Sequence, residues 1–149
     1  MTLDQNQFAI IPSVGRLMTG ENVKTCEFYD STDTTTIYPG EFVKMYSSTN
    51  PGVTKVQKGS AATDKYVGVV LQNALKEYYE VGDKMDVAFG FCEVMATASA
   101  AITAGDSLQY DYATSKVLTK TASNTVVAMA MENADAADDL VRVLVQTNF

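Results

Sequence analysis

Apolar and polar residues alternate along residues 104–119, AGDSLQYDYATSKVLT. Leu108, Tyr110 and Tyr112 fall on one face, and Ser107, Gln109 and Asp111 on the other, directly after the turn pair Gly105-Asp106. Ala113-Thr114-Ser115 interrupts the pattern and Val117 and Leu118 resume it, which predicts an amphipathic β-hairpin. Residues 40–55, GEFVKMYSSTNPGVTK, repeat this stretch at a shift of 65 positions. Gly40 falls on Gly105, Glu41 on Asp106, Val43 on Leu108 and Met45 on Tyr110, and residues 53–55 fall on 118–120. Each hairpin is followed by a second matching segment: residues 66–74, YVGVVLQNA, match residues 126–134, VVAMAMENA, at a shift of 60. Val67, Asn73 and Ala74 are identical to Val127, Asn133 and Ala134. Two matches in the same order predict an internal duplication of a three- or four-stranded unit.

The rest of the chain has the same grain. Residues 66–71 form a continuous apolar run that reads as a buried strand, with Gly68 marking a bulge or a close backbone approach. Residues 74–80, ALKEYYE, have the length of one helical turn and no more. Met85, Val87 and Phe89 alternate with polar or small residues after Gly82-Asp83, and residues 91–96 continue as strand beyond Gly90. Ile102 sits in a small-residue stretch and plugs a gap in the core. Residues 141–145 make the last strand. No segment sustains a 3.6-residue period, so the fold class is all-β, a small barrel or sandwich of short antiparallel strands. Residues 1–33 lack clear alternation and read as an extended N-terminal arm with one short strand around 23–29, or as an edge strand closing the core. Residues 34–149 form the β-rich domain.

Composition narrows function mainly by exclusion. A chain of 149 residues fits one domain. The net charge of −7 opposes contact with phosphate, so nucleic acid is not an expected partner. No apolar run approaches the ~20 residues of a membrane helix, and the N-terminus has no signal-peptide pattern. With no histidine in the chain, serine and cysteine triads, histidine bases and the common catalytic zinc sites are out of reach. Neither GxGxxG nor GxxxxGK[ST] occurs. Glu132, Asp135, Asp138 and Asp139 lack calcium-loop spacing and read as a solvated turn. Glu41, Asp83 and Asp106 each follow a glycine and read as turn chemistry. Cys26 and Cys92 read as free thiols, Cys92 being packed as a small hydrophobe. No catalytic residue, cofactor or metal is expected, and the protein is not expected to be an enzyme. Tyr78 and Tyr79 in one loop are the candidates for an exposed contact with protein or sugar, and Phe8, Ile10 and Ile11 for anchors by which the arm reaches a partner.

The ordered segments PGEFVKM, ATDKYVGVV, VGDKMDVAFGFCEVMA, AITAGDSLQYDYATSKVLT, VVAMAMENA and VRVLV together resemble the capsid cement, or decoration, proteins of tailed bacteriophages. The resemblance runs from Thr34 to Gln146, and Ala128 stands where the pattern has a glycine. It implies a virion protein, made in the host cytoplasm, that sits on the outer capsid surface. There it would bind the major capsid protein, often as a homotrimer, and reinforce the lattice through many repeated contacts. The arm residues Phe8, Ile10, Ile11 and Val14 would then make capsid or subunit contacts. The alternative is a virion-displayed β module that binds a ligand or glycan for host attachment, with Tyr78 and Tyr79 at its centre.

Overall fold

The computed structural model describes residues 13–32, 34–46 and 53–149. These residues form thirteen strands: β1 (Leu17–Thr19), β2 (Val23–Phe28), β3 (Thr36–Ile37), β4 (Phe42–Met45), β5 (Lys55–Lys58), β6 (Tyr66–Val70), β7 (Tyr79–Glu80), β8 (Lys84–Ala88), β9 (Glu93–Thr97), β10 (Ser107–Asp111), β11 (Lys116–Thr119), β12 (Ala128–Ala130) and β13 (Leu140–Val145). Among the described residues there is no helix. The fold is all-β, and its first half is a closed barrel in the order β2-β5-β4-β6-β8. The second half is a six-stranded sheet in the order β1-β9-β13-β12-β10-β11.

Apart from β1, the two halves are the same five-stranded unit. Taken in chain order, β2, β4, β5, β6 and β8 pair as β9, β10, β11, β12 and β13 do. Val43 lies opposite Gly68 and Leu108 opposite Ala128, and both members of the pair are related by the shifts of 65 and 60 read from the sequence. Val70 lies opposite Val87, as Ala130 lies opposite Val143. The barrel closes by a parallel pairing of Phe28 with Val56, after which the Tyr29 N–H donates to the Val56 carbonyl at 2.9 Å. In the second unit Ala98 bridges Val117 in parallel, and the Ser99 N–H donates to the Val117 carbonyl at 2.8 Å. The duplicated unit is thus larger than the hairpin and strand visible in the sequence.

The register also corrects one equivalence. Met45 lies opposite Val56 and Tyr110 opposite Val117, so β5 matches β11 at a shift of 61, not 65. The first hairpin connection is four residues longer than the second, and an ungapped comparison slides past that difference.

The turns are duplicated as well. Gly40, Gly82 and Gly105 have φ of 90°, 94° and 92°, the left-handed value needed at the third position of a type II turn. In each turn the following acid accepts the N–H of the turn's first residue: Tyr38 to Glu41 at 2.6 Å, Glu80 to Asp83 at 2.9 Å and Thr103 to Asp106 at 3.1 Å. The acids are turn chemistry, as expected. A Cβ at Gly105 would meet no atom within 4 Å, so Gly105→Ala isolates the cost of the backbone conformation. It should lower stability by about 1–2 kcal/mol in urea unfolding; an unchanged midpoint would show that this turn relaxes freely.

Two interiors result. Cys26, Phe28, Val43, Val56, Val67, Val70, Met85 and Val87 fill the first barrel, with Ile37 and Tyr79 of the β3–β7 ribbon at one end. Leu108, Tyr110, Val117, Val127, Val141, Val143 and Val145 are in the second cluster, into which Phe42, Tyr66, Val69 and Ala88 project from the outside of the barrel. Strand alternation makes this double use possible: Val43 points in while Phe42 points across. The Phe42 and Tyr66 rings each lie 5.3 Å from the Tyr110 ring, and join the units. Gly68 fits the reading of a close approach, since a Cβ there would lie 2.5 Å from the Ala88 carbonyl oxygen, and the β4–β6 register also shifts beside it. Ile102 is buried and exchanges backbone hydrogen bonds with Ala134.

Three expectations change. β1 and β2, within the stretch assigned to the arm, belong to the two sheets: β1 is an edge strand on β9, whereas β2 pairs on both sides, with β5 and β8, and is not an edge strand. Cys26, not only Cys92, is packed as a small hydrophobe: it is inside the barrel, and burial pushes its thiol up to about 11. Both cysteines are free and buried. Residues 89–92 are a turn rather than continuous strand, with positive φ at Gly90 and Phe91, and there the chain passes from one unit to the other.

Candidate functional site

The feature that the duplication does not explain is the loop of residues 72–78. Ile37 pairs with Tyr79, whereas the corresponding Ile102 bridges Ala134 only four residues beyond β12. The first unit therefore carries extra residues between β6 and β7. At the tip of this insertion Leu75 is 91% exposed, an unusual position for leucine, while its N–H donates to the Asn73 Oδ1 at 2.8 Å. Tyr78 is partly exposed and its ring lies 5.6 Å from that of Tyr38, which is itself exposed. The insertion thus presents an aliphatic tip and a pair of aromatic rings held by a short turn.

Tyr79 does not belong to this surface. It is 1% exposed, and its hydroxyl donates to the Leu71 carbonyl at 3.0 Å. Burial, followed by the charges of Asp86 and Asp83, raises its phenol above the ordinary tyrosine value. The expected exposed pair is corrected for a geometric reason: Tyr79 opens β7 opposite Ile37 with its ring in the first core, and Glu80 takes the exposed side of the strand. Residues 74–80, too short for a stable helix, form a tight turn, where Asn73 bridges Lys76, followed by a strand.

Beside the insertion lies a cleft of about 480 Å³ between the two units, lined by Val14, Tyr38, Glu41, Gln72, Thr97 and Ser115 among others. Glu41 is 3% exposed at its base. Its carboxylate accepts the Tyr38 N–H and the Ser115 hydroxyl at 3.0 Å, and pairs with Lys58 at 3.3 Å. Each oxygen is therefore engaged within the fold, and the Ser115 contact ties the second unit to the first. Lys76 on the insertion is paired with Asp83 at 2.7 Å; that contact, then the Glu80 N–H, holds the Asp83 carboxyl below the usual aspartate range. Val14 lines the same cleft, half-buried, and is packed over Gly40, where a Cβ would meet it at 2.1 Å. Phe8, Ile10 and Ile11, the other expected anchors, lie outside the described residues.

The remaining polar clusters are also committed to structure. Asp139 accepts the Asp135 and Ala136 N–H groups, Glu132 accepts that of Arg142, and Asp138 pairs with Lys116. Tyr110 is buried at the junction of the units, and Tyr112, beyond the end of β10, is 45% exposed. Among the described residues no group of three or more acids or thiols converges as a metal site. What the surface offers is contact: an exposed leucine, exposed aromatic rings, and a cleft in which Glu41, Lys76 and Lys116 are already paired.

These features sit on an all-β fold of two matched units. The chain belongs to the phage cement protein family, whose model matches residues 29–146. A search of curated proteins finds no match. Among solved structures, the chain is similar to the N-terminal base of the head fiber protein gp8.5 of bacteriophage phi29. The TM-score is 0.54 at 15% identity, over 83% of this chain and 92% of that one, which is a likeness of fold. The protein is a phage structural protein associated with the capsid. The Leu75 tip was missed in the sequence because an isolated leucine in a polar loop carries no periodicity; only the comparison of the two units marks it as an insertion.

Proposed function

We propose that the protein binds the outer surface of a phage capsid, engages the major capsid protein and reinforces its lattice without catalysing a reaction. The observation that carries this reading is membership of the cement family over residues 29–146, the part that holds β3 to β13. The reading is supported by a surface whose notable feature is an exposed apolar tip, and by the buried Glu41 carboxylate, which is engaged within the fold. The protein acts as a homo-oligomer, a trimer, so that modest contacts repeat over a symmetric shell. Leu75, Tyr78 and Tyr38 make the contact, together with Phe8, Ile10, Ile11 and Val14, the last of which lines the cleft. Synthesis is in the host cytoplasm, and the working location is the virion surface.

The test is co-sedimentation with capsids stripped of this protein, at about 0.15 M salt, where surface charges are largely screened beyond ~8 Å. Saturable, stoichiometric pelleting is expected. Leu75→Glu should weaken binding about tenfold or more, as expected for an anchor residue, with no change in melting temperature. Deletion of residues 2–12 should weaken it further. If the folded protein fails to pellet, the capsid reading is wrong, and a titration with cell-wall sugars would address host attachment instead.

A further inference from the structure

The contact between the two units is heterologous: the outside of the first meets the β10 end of the second. Phe42, Val69 and Ala88 stand on the outside of the barrel and are buried in the second cluster. Tyr110 and Val127 lie on the receiving side, where the Thr125 N–H also donates to the Ala62 carbonyl at 3.0 Å. Because the units match register for register, each of these surfaces has a counterpart elsewhere on the molecule.

Among the described residues the counterparts are uncovered in part, while Val67 lies at the buried floor of its groove, 2% exposed. Ser107, Met129 and Leu144 occupy in the second unit the positions of Phe42, Val69 and Ala88, and form one cross-strand row. Met129 and Leu144 are half-buried, and Met131 beside them is 41% exposed. On the first unit, Met45 stands where Tyr110 stands, and is 47% exposed. Beside it is a cavity of about 370 Å³ lined by Lys44, Met45, Lys65, Val67 and Phe149. Val67 and Lys65 are the counterparts of Val127 and Thr125 at the shift of 60. Glu93 ends the Met129–Leu144 row, and at the cavity rim Lys44 is paired with Asp64 at 3.1 Å.

We infer that the Met129–Leu144 face of one chain docks on the Met45–Val67 groove of a second copy, repeating between chains the contact made within the chain. Such a head-to-tail contact is not self-complementary, so it propagates until the rotation closes a ring. The inference deepens the oligomeric reading above and is tested without capsids, so its failure and that of capsid binding are separable.

The experiment is analytical ultracentrifugation of the full chain from micromolar to millimolar concentration. The wild type should form one closed species. Met129→Glu and Met45→Glu should each weaken association at least about tenfold and shift the protein to monomer, with melting temperature as the control for folding. Leu144→Glu, in the same row, is the second face variant should Met129→Glu fold poorly. Mixing Met129→Glu with Met45→Glu should restore a two-chain species and nothing larger, because one intact face and one intact groove remain. A monomeric wild type, variants that keep the wild-type size, or a mixture that stays monomeric would each overturn the inference.

Discussion

Replacing Phe42 by alanine should cost about 3–5 kcal/mol, the usual range for deleting a fully buried aromatic ring. Phe42 is 0% exposed although it points out of the barrel, and its ring meets both Tyr66, at 6.4 Å edge-on, and Tyr110, at 5.3 Å. Aromatic pairs of this kind contribute about 0.5–1.5 kcal/mol beyond the area they bury. The loss therefore falls on the junction between the units rather than on either interior. Small domains have only about 5–15 kcal/mol in total, so the variant should be on the edge of folding. Urea unfolding read by tyrosine fluorescence and by far-ultraviolet dichroism checks this. A loss below about 1 kcal/mol would mean that the units are held by their strand pairing and not by this ring cluster.

Tyr79→Ala should cost a similar amount, about 3–5 kcal/mol, by emptying the end of the first barrel. Tyr79→Phe separates the ring from the hydroxyl. It keeps the packing and removes only the donor to the Leu71 carbonyl, so a loss of about 1–3 kcal/mol is expected if that carbonyl is left unsatisfied. The corresponding place in the second unit is held by Ile102 and Ala134, with no aromatic. The asymmetry is instructive: the closed barrel needs a large plug, whereas the second unit is filled from outside by Phe42 and Tyr66. Equal stability of wild type and Tyr79→Ala would show that the barrel end collapses to fill the space.

How much of this could be read beforehand depends on the range of the interactions involved. The shifts of 65 and 60 were legible because glycine-acid turns and strand alternation are local, and both units kept them. Gly68 and Ile102 were legible for the same reason. The equivalence of Val56 with Val117 was not, because a four-residue difference in the hairpin connection is invisible to an ungapped comparison. β2 was obscured because only its last three residues sit over the barrel interior, with the pattern Cys26 buried, Glu27 half-buried and Phe28 buried. Its partners, β8 and β5, are far away along the chain, and parallel closure by β5 leaves no local mark. Tyr79 was misplaced because a two-residue strand is too short to show a period. The Leu75 tip required the two units to be laid over one another.

The small strand β1 has a mechanical consequence. It precedes β2 of the barrel, yet it pairs with β9 in the second unit, Leu17 opposite Val94. The chain therefore crosses between the units twice, once between β1 and β2 and again at the Gly90–Phe91 turn. A single cut at that turn would leave the two fragments clasped, because the amino-terminal piece still carries a strand of the carboxy-terminal piece's sheet. Tension applied across the units is shared by two covalent paths and a hydrogen-bonded clasp, and the pair resists being peeled apart like beads on a string.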